Sequence, residues 1–174
     1  YLKSLGLPDG NKIQYEYDAM GNRISMTDLK GTVSYKYDKF GRLNNAGDTK
    51  YEWDKNGNII SQIEKQDKTI FKYNGRNLPA LIKTPSETVK YSWDGDGNML
   101  SRNAGNEITH YVPNPLEPKG LALAEFDKSG SMNTAYLYSD TIIGKIDKNG
   151  GRQYFLEDGF NSIRHITDMN GKIV

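Results

Sequence analysis

Two acidic segments carry side chains that could bind a metal ion. Residues 54–58 (Asp-Lys-Asn-Gly-Asn) and 94–98 (Asp-Gly-Asp-Gly-Asn) place oxygen ligands at alternate positions, as the start of a calcium loop does. A complete EF-hand loop also needs glycine at position six and glutamate at position twelve. Position six is apolar in both segments, and position twelve is Lys65 or Gly105. We interpret both segments as turns, keep calcium binding as the alternative, and predict no bound metal.

The two histidines, His110 and His165, could act as acid–base groups, but they lie 55 residues apart with no nucleophile motif nearby. The G-x-S-x-G, H-E-x-x-H and phosphate-binding glycine-loop patterns are absent from the sequence. The chain has no Cys, which excludes a thiol nucleophile, a Cys-based zinc site and disulfides. A triad assembled in space stays open, because triads are defined by geometry rather than by order. We predict a non-enzyme with no catalytic residues and no cofactor.

Paired aromatic residues are the third candidate, since Tyr and Trp combine an apolar face with a polar tip that suits sugar rings or another protein. One aromatic per strand per repeat is also what a sheet needs for cross-strand packing. We prefer packing and keep ligand contact, glycans included, as the alternative. The nine residues are Tyr15, Tyr17, Tyr35, Tyr37, Tyr51, Trp53, Tyr73, Tyr91 and Trp93.

These aromatics belong to an internal repeat. The second aromatic of successive units is separated by 20, 16, 20 and 20 residues. A near-constant period predicts stacked copies of one supersecondary unit, each too small to bury its apolar face alone. The five segments are YEYDAMGNRIS (15–25), YKYDKFGRLN (35–44), YEWDKNGNIIS (51–61), FKYNGRNLPAL (71–81) and YSWDGDGNMLS (91–101).

The pattern Asp-x-x-Gly follows many of the aromatics and predicts hairpin turns. Asp at the first position of a type I turn accepts hydrogen bonds from nearby backbone N–H groups, and Gly at the fourth takes a positive φ without steric cost. Such turns are commonly closed by a bulge. The eight pairs are Asp18 and Gly21, Asp28 and Gly31, Asp38 and Gly41, Asp54 and Gly57, Asp94 and Gly97, Asp127 and Gly130, Asp147 and Gly150, and Asp168 and Gly171.

Strands are predicted on either side of these turns. Apolar and polar residues alternate with period two, as in residues 12–17, and no helical periodicity is sustained. In the fourth repeat Asn74 and Asn77 replace Asp and Gly, and because Asn tolerates positive φ we expect that hairpin to survive. The sequence therefore predicts an all-β fold of repetitive antiparallel hairpins.

The organisation along the chain is interpreted as one all-β region, residues 1–174, with regular repeats over 12–105 and a divergent part over 106–174. Residues 111–120 hold three of the six prolines and predict an irregular crossing loop. A length of 174 residues predicts a sizeable buried core. Because the first residue is Tyr, we expect a piece of a longer polypeptide. Further strands are expected at residues 121–126, 134–138, 141–146, 152–156 and 162–167.

Charge and composition exclude several classes of binding partner. The 23 basic and 22 acidic residues leave a net charge of +1, so a nucleic-acid or anionic-membrane partner is not expected. No apolar run approaches the ~20 residues that span a bilayer. The 12 Tyr, 5 Phe and 2 Trp argue against disorder.

The aromatic-x-aromatic-Asp-x-x-Gly unit at this spacing resembles the YD repeats of the RHS (rearrangement hot spot) family, whose relatives include wall-associated proteins, BC components of Tc toxin complexes and teneurins. The run at 124–130, the aromatic clusters at 136–138 and 154–156, and residues 161–171 resemble the end of an RHS core. Asn161 and His165 depart from that pattern, where Gly and a small residue are usual. The resemblance covers about residues 12–174.

This resemblance implies a curved β-strip that is part of a hollow shell around a polymorphic C-terminal toxin domain. It implies a structural, non-catalytic role and a secreted or cell-surface location. A short array of repeats has open sheet edges, which recruit further strands, so we expect neighbouring repeats or copies of the chain as partners. The alternative function is a cell-surface adhesion or carbohydrate-binding module that uses the Tyr/Trp face. In the family, self-cleavage depends on aspartates beyond the stretch seen here, so no protease residue or toxin domain is assigned to this chain.

Overall fold

A computed structural model describes residues 1–116 and 121–174 of the chain. These residues form seventeen β-strands and no helix, and they divide into two compact units, Tyr1–Ser86 and Glu87–Val174. Within each unit every strand pairs antiparallel with the next strand in sequence. The prediction of an all-β fold built from antiparallel hairpins is confirmed.

The first unit is a meander of nine strands of three to seven residues. They are β1 (Ser4–Gly6), β2 (Lys12–Tyr17), β3 (Arg23–Asp28), β4 (Gly31–Tyr37), β5 (Leu43–Ala46), β6 (Thr49–Trp53), β7 (Ile59–Glu64), β8 (Asp67–Tyr73) and β9 (Pro79–Lys83).

The second unit is a meander of eight strands, and it includes the five that the sequence predicts beyond residue 120. They are β10 (Thr88–Trp93), β11 (Met99–Ala104), β12 (Glu107–Pro113), β13 (Ala122–Phe126), β14 (Met132–Tyr138), β15 (Ile142–Asp147), β16 (Arg152–Glu157) and β17 (Ile163–Thr167).

The predicted crossing loop at 111–120 is only partly a loop. Residues 111–113 belong to β12, because their alternating pattern continues the pairing with β13 through a bulge before Pro113. Residues 117–120 of that prediction lie outside the described residues. The division into regular repeats over 12–105 and a divergent part over 106–174 stays a prediction.

The period-two pattern separates two faces of the first unit. Tyr15 lies opposite Met26, which lies opposite Val33, and all three are half-buried. The alternate residues form a polar row in which the Ser25 hydroxyl donates to a Glu16 carboxylate oxygen over 2.9 Å. The aromatic residues therefore share a face with aliphatic cross-strand neighbours, while the charged residues between them face water.

The prediction of a sizeable buried core is wrong. Among the described residues, the one hydrophobic side chain that is buried is Val89, and no large side chain is fully buried. The physical reason is that, within each unit, the described strands contact only the strands before and after them in sequence, so no second layer of the same unit covers either face. The apolar area that is removed from water is removed by neighbours within the same sheet.

The meander places four similar turns along one edge of the first unit. Because successive strands reverse direction, the connections after β2, β4, β6 and β8 fall on the same edge, which we call the turn edge. These connections span residues 18–22, 38–42, 54–58 and 74–78.

Candidate functional site

One turn geometry recurs along the turn edge, and the turn at residues 54–58 shows it. The Asp54 N–H donates to the Asn58 carbonyl over 2.9 Å, and the Gly57 N–H donates to the Asp54 carbonyl over 3.3 Å. One carboxylate oxygen of Asp54, Oδ1, accepts from the N–H groups of Asn56 and Asn58, and Oδ2 accepts from the Asn58 amide. Gly57 has a φ of +87°, in the left-handed region that favours glycine. Both carboxylate oxygens are therefore occupied by donors of the turn itself.

The same geometry holds seven of the eight predicted Asp-x-x-Gly pairs. In each, the glycine N–H donates to the aspartate carbonyl, and the glycine has a φ between +76° and +91°. The pairs are Asp18 and Gly21, Asp38 and Gly41, Asp54 and Gly57, Asp94 and Gly97, Asp127 and Gly130, Asp147 and Gly150, and Asp168 and Gly171.

The eighth pair forms a different connection. Asp28 and Gly31 face each other across the β3–β4 hairpin, so that a two-residue loop joins the strands. The carboxylate of Asp28 accepts from the Lys30 N–H over 2.7 Å, and Gly31 has a φ of +124°. The pattern Asp-x-x-Gly thus occurs in two hairpins of different length.

Asparagine replaces glycine at two turns. Asn77, in the fourth repeat, has a φ of +60°, and the Asn74 side chain accepts from the N–H groups of Arg76 and Leu78. Sequence analysis missed a second such turn, at residues 158–162, where Asn161 has a φ of +59°. A search for Asp-x-x-Asn as well as Asp-x-x-Gly would have found it.

Hydrogen bonds hold the pKa of several turn aspartates below the ordinary value. For Asp18, Asp54 and Asp94 the largest cause is the side-chain amide of the asparagine four residues later. For Asp127 the largest cause is the Ser129 hydroxyl. Each of these carboxylates is therefore ionised at neutral pH and acts as an acceptor for its own turn.

Neighbouring turns of the turn edge contact each other. The Arg42 guanidinium forms an ion pair with Asp38 and also donates to the Asp54 carbonyl over 3.1 Å. The side-chain amides of Asn56 and Asn58 both donate to the Asn77 side-chain oxygen, over 3.1 and 2.9 Å. Polar side chains thus connect three consecutive turns.

A bulge accompanies the turns and leaves one residue unopposed at the start of the following strand. In the first repeat, Glu16 pairs with Ser25 and Tyr17 with Arg23, so Ile24 has no partner. The equivalent residue is apolar in several repeats and remains 37–41% exposed. These apolar bulge residues are Ile24, Ile60, Leu100, Leu123 and Ile143.

The second aromatic of a repeat donates a hydrogen bond to the backbone at this bulge. The Tyr37 phenol donates to the Arg23 carbonyl over 2.8 Å, and the Trp53 indole N–H donates to the Leu43 carbonyl over 2.9 Å. In both cases the acceptor is the first residue of the preceding strand. Further examples are Tyr73 to Ile59 and Tyr138 to Ala122. The Tyr17 phenol also donates to a backbone carbonyl, that of Leu2, which lies before β1.

These aromatic hydrogen bonds have a simple physical basis. A bulge interrupts the ladder of backbone hydrogen bonds, and an unpaired carbonyl that is shielded from water is costly. The donor at the tip of Tyr37, Trp53 or Tyr73 supplies the missing partner. The polar tips of Tyr17, Tyr37, Trp53 and Tyr73, which the glycan alternative would use, are therefore engaged within the sheet.

The remaining repeat aromatics are also half-buried within the sheet. The Arg23 guanidinium lies over the ring of Tyr35, 4.3 Å from its centroid, and 5.9 Å from the centroid of Tyr15. The Arg42 guanidinium lies 5.8 Å from the centroid of Trp53. The side chains of Tyr51, Tyr91 and Trp93 are half-buried on β6 and β10.

The structure does not bring the predicted acid–base groups together. His110 lies on β12 and His165 on β17, five strands apart in the meander, and both are exposed. At the calcium candidate, the two carboxylate oxygens of Asp94 accept from Asp96 and Asn98 of the same turn. Within residues 1–116 and 121–174 no cluster of three or more acidic or histidine side chains could hold a metal ion, nor does any helix there have the length and apolarity to cross a membrane.

Together, the antiparallel hairpins, the repeated turn and the contacts restricted to consecutive strands define a β-repeat protein. The family described as Teneurin YD-shell matches residues 4–174, and the chain belongs to this family. The resemblance to YD-repeat proteins that the sequence indicates is thereby confirmed.

Solved structures share the fold. A Tc holotoxin pore of Photorhabdus luminescens is 16% identical with a TM-score of 0.50, and the match covers 95% of this chain and 9% of that one. A complex described as TcdB2-TccC3-Cdc42 is 15% identical with a TM-score of 0.53, over 97% of this chain and 10% of that one. The chain thus spans about a tenth of the length of these structures. Comparison with curated proteins finds no match.

Proposed function

We propose that this chain is a non-catalytic structural segment of a larger β-sheet shell that encloses or displays another polypeptide. The observation that carries the proposal is that the chemically distinctive groups of the repeat are used within the sheet. The Asp54 carboxylate serves its own turn, and the Tyr37 phenol serves the preceding strand. Membership of a YD-shell family supports the same role.

The enclosed or displayed polypeptide is proposed to be a polymorphic, toxin-like segment. The shared fold supports this part of the proposal. One solved structure with this fold is described as TcdB2-TccC3 without its hypervariable C-terminal region, so that protein has such a region. A secreted or cell-surface location belongs to the same proposal.

The partners proposed for the sheet itself are neighbouring repeats or further copies of the chain. Within the second unit, β17 pairs with β16 along its length, while on its other side it has only the bridge from Thr167 to Ile173 and the hydrogen bond from the Val174 N–H to the Ile166 carbonyl. Edge strands with free N–H and C=O groups recruit further strands.

Analytical ultracentrifugation across a range of concentrations tests this association. We expect concentration-dependent oligomers, and we expect Ile163→Lys to weaken them, because a lysine on an edge strand opposes pairing. Ile60→Lys is the matched control: Ile60 is also exposed, but β7 has strands on both sides. A folded chain that stays monomeric at every concentration would contradict the proposal.

Enclosure is tested separately, by limited proteolysis of a longer chain that carries this segment and a downstream polypeptide. We expect the downstream polypeptide to resist protease while the sheet is intact. It should become cleavable when Gly57→Val destabilises β6, β7 and the strands beside them. Equal cleavage in both would exclude enclosure and would leave the structural role of the sheet untouched.

A further inference from the structure

A groove of about 270 Å³ lies on the second unit. Its wall includes the apolar side chains of Met99, Leu121 and Ile142. Its volume is below that of most small-molecule pockets, so it suits a single side chain better than a larger ligand.

Polar groups converge in this groove from three strands. Tyr111 of β12 lies opposite Glu125 of β13, and both line the groove with Tyr136 of β14. The Tyr136 phenol donates to the Glu125 Oε1 over 2.6 Å. Burial raises the pKa of the Tyr136 phenol, and its hydrogen bond to Glu125 raises it further. Burial likewise raises the pKa of Tyr111, with the charge of Glu125 as the second cause.

The Glu125 carboxylate has no cationic partner within the described residues. The ion pairs found there join Arg42 to Asp38, Lys68 to Glu52 and Arg164 to Asp158. Lys145 lies opposite Tyr136 in the strand register, but it is not within ion-pair distance of Glu125 and does not line the groove. Among the described residues this half-buried carboxylate thus forms no ion pair, and the nearby Arg102 guanidinium acts electrostatically on Tyr111.

We propose that this groove binds a lysine side chain of a polypeptide that lies against the sheet. A lysine has an apolar four-carbon stem and a compact ammonium head, and the groove has an apolar wall beside one carboxylate. The tyrosine rings attract a cation, and their hydroxyl oxygens offer further acceptors for the ammonium. Because Glu125 Oε1 already accepts from Tyr136, the two-pronged contact that arginine favours is less available. This inference goes beyond the proposed function, since the groove would bind lysine whether or not the sheet encloses anything.

The test uses N-acetyl-lysine methylamide as the probe and the full 174-residue chain, followed through the NMR signals of the tyrosine rings. We expect saturable shifts of Tyr136 with a dissociation constant of about 1 mM, the weak range expected for one side chain. The norleucine analogue, which keeps the stem and lacks the ammonium, should bind about tenfold more weakly because it leaves the carboxylate unpaired. Equal binding of the two analogues would overturn the proposal, and so would an arginine analogue that binds as tightly as lysine.

The variant Glu125→Gln tests whether binding depends on the negative charge of residue 125 rather than on the folded state. Gln keeps an oxygen that can accept from Tyr136, so the ring spectrum should stay that of a folded protein, while lysine binding falls about tenfold. Glu107→Gln is the matched control, because it removes one negative charge from an exposed position of the same unit. Binding that survives Glu125→Gln unchanged, or that falls equally in Glu107→Gln, would assign the shifts to general electrostatics and contradict the proposal.

Discussion

The phenol of Tyr37 donates a hydrogen bond to the backbone carbonyl of Arg23, 2.8 Å away, and so joins the end of one strand to the start of the strand before it. The Arg23 guanidinium lies over the ring of Tyr35, 4.3 Å from its centroid, on the same strand as Tyr37. One residue thus contacts two aromatics of the following strand, one through its backbone and one through its side chain. In a sheet without a buried core, such contacts between neighbours hold the repeats in register.

Removing the hydroxyl of one second aromatic should lower the stability of the fold by the value of its hydrogen bond. Tyr73→Phe should lower the free energy of unfolding by about 1 kcal/mol, because it leaves the Ile59 carbonyl without its donor. Urea denaturation measures the change. Tyr51→Phe is the control: Tyr51 is the first aromatic of its repeat, and none of the hydrogen bonds found among the described residues uses its hydroxyl. An equal loss in both variants would contradict a special role for the second aromatic.

Gly57→Val tests the backbone of the turn. A β-branched side chain at a φ of +87° should lower the free energy of unfolding by about 1–3 kcal/mol. Gly75→Val is the control, since neither glycine has atoms within 4 Å of an added Cβ, but only Gly57 has a positive φ. If both variants melted at the same temperature, strain at positive φ would not explain the need for glycine at position 57.

The lowered pKa of Asp54 should make the stability of the fold depend on pH in the acidic range. The folded-state pKa of Asp54 is lowered, chiefly by the Asn58 amide. Its contribution is therefore present above the unfolded-state pKa of about 3.9 and is lost as the pH falls towards the folded value. Asp54→Asn should be milder than Gly57→Val at pH 7, because Asn keeps one oxygen for the two N–H groups. The variant should also lose less stability than the parent between pH 5 and pH 3, as measured by thermal unfolding. A steeper acid dependence in Asp54→Asn would contradict this assignment.

Calcium should leave the melting temperature unchanged. The carboxylate oxygens of Asp94 already accept hydrogen bonds from their own turn, so binding a cation would require breaking these bonds. Thermal unfolding with calcium and with a chelator checks this. A stabilisation by calcium that Asp94→Asn removes would show that the turn is a metal site, because a ligand specific to the native state raises its stability by mass action.

The sequence predicts local features of this fold better than contacts between strands. The turn at Gly57 follows from residue types alone, since only a few residues tolerate positive φ, whereas the turn at Asn161 is missed because the less common residue takes that position. The hydrogen bond from Tyr37 to Arg23 is not predicted, because residue types do not show which carbonyl of the preceding strand the phenol reaches. The expectation of a sizeable core fails because chain length measures how much surface could be buried, and not whether a second layer exists to bury it.

The central claim is that stability in this chain comes from contacts between consecutive strands, as a segment of a repeat shell requires. Hydrogen exchange of the Gly57→Val variant, followed by mass spectrometry, tests it most directly. We expect protection to fall in β6 and β7 and in the strands beside them, and to stay near the parent level in β2 and β3. A uniform loss of protection throughout Tyr1–Ser86 would show one cooperative core and contradict the account.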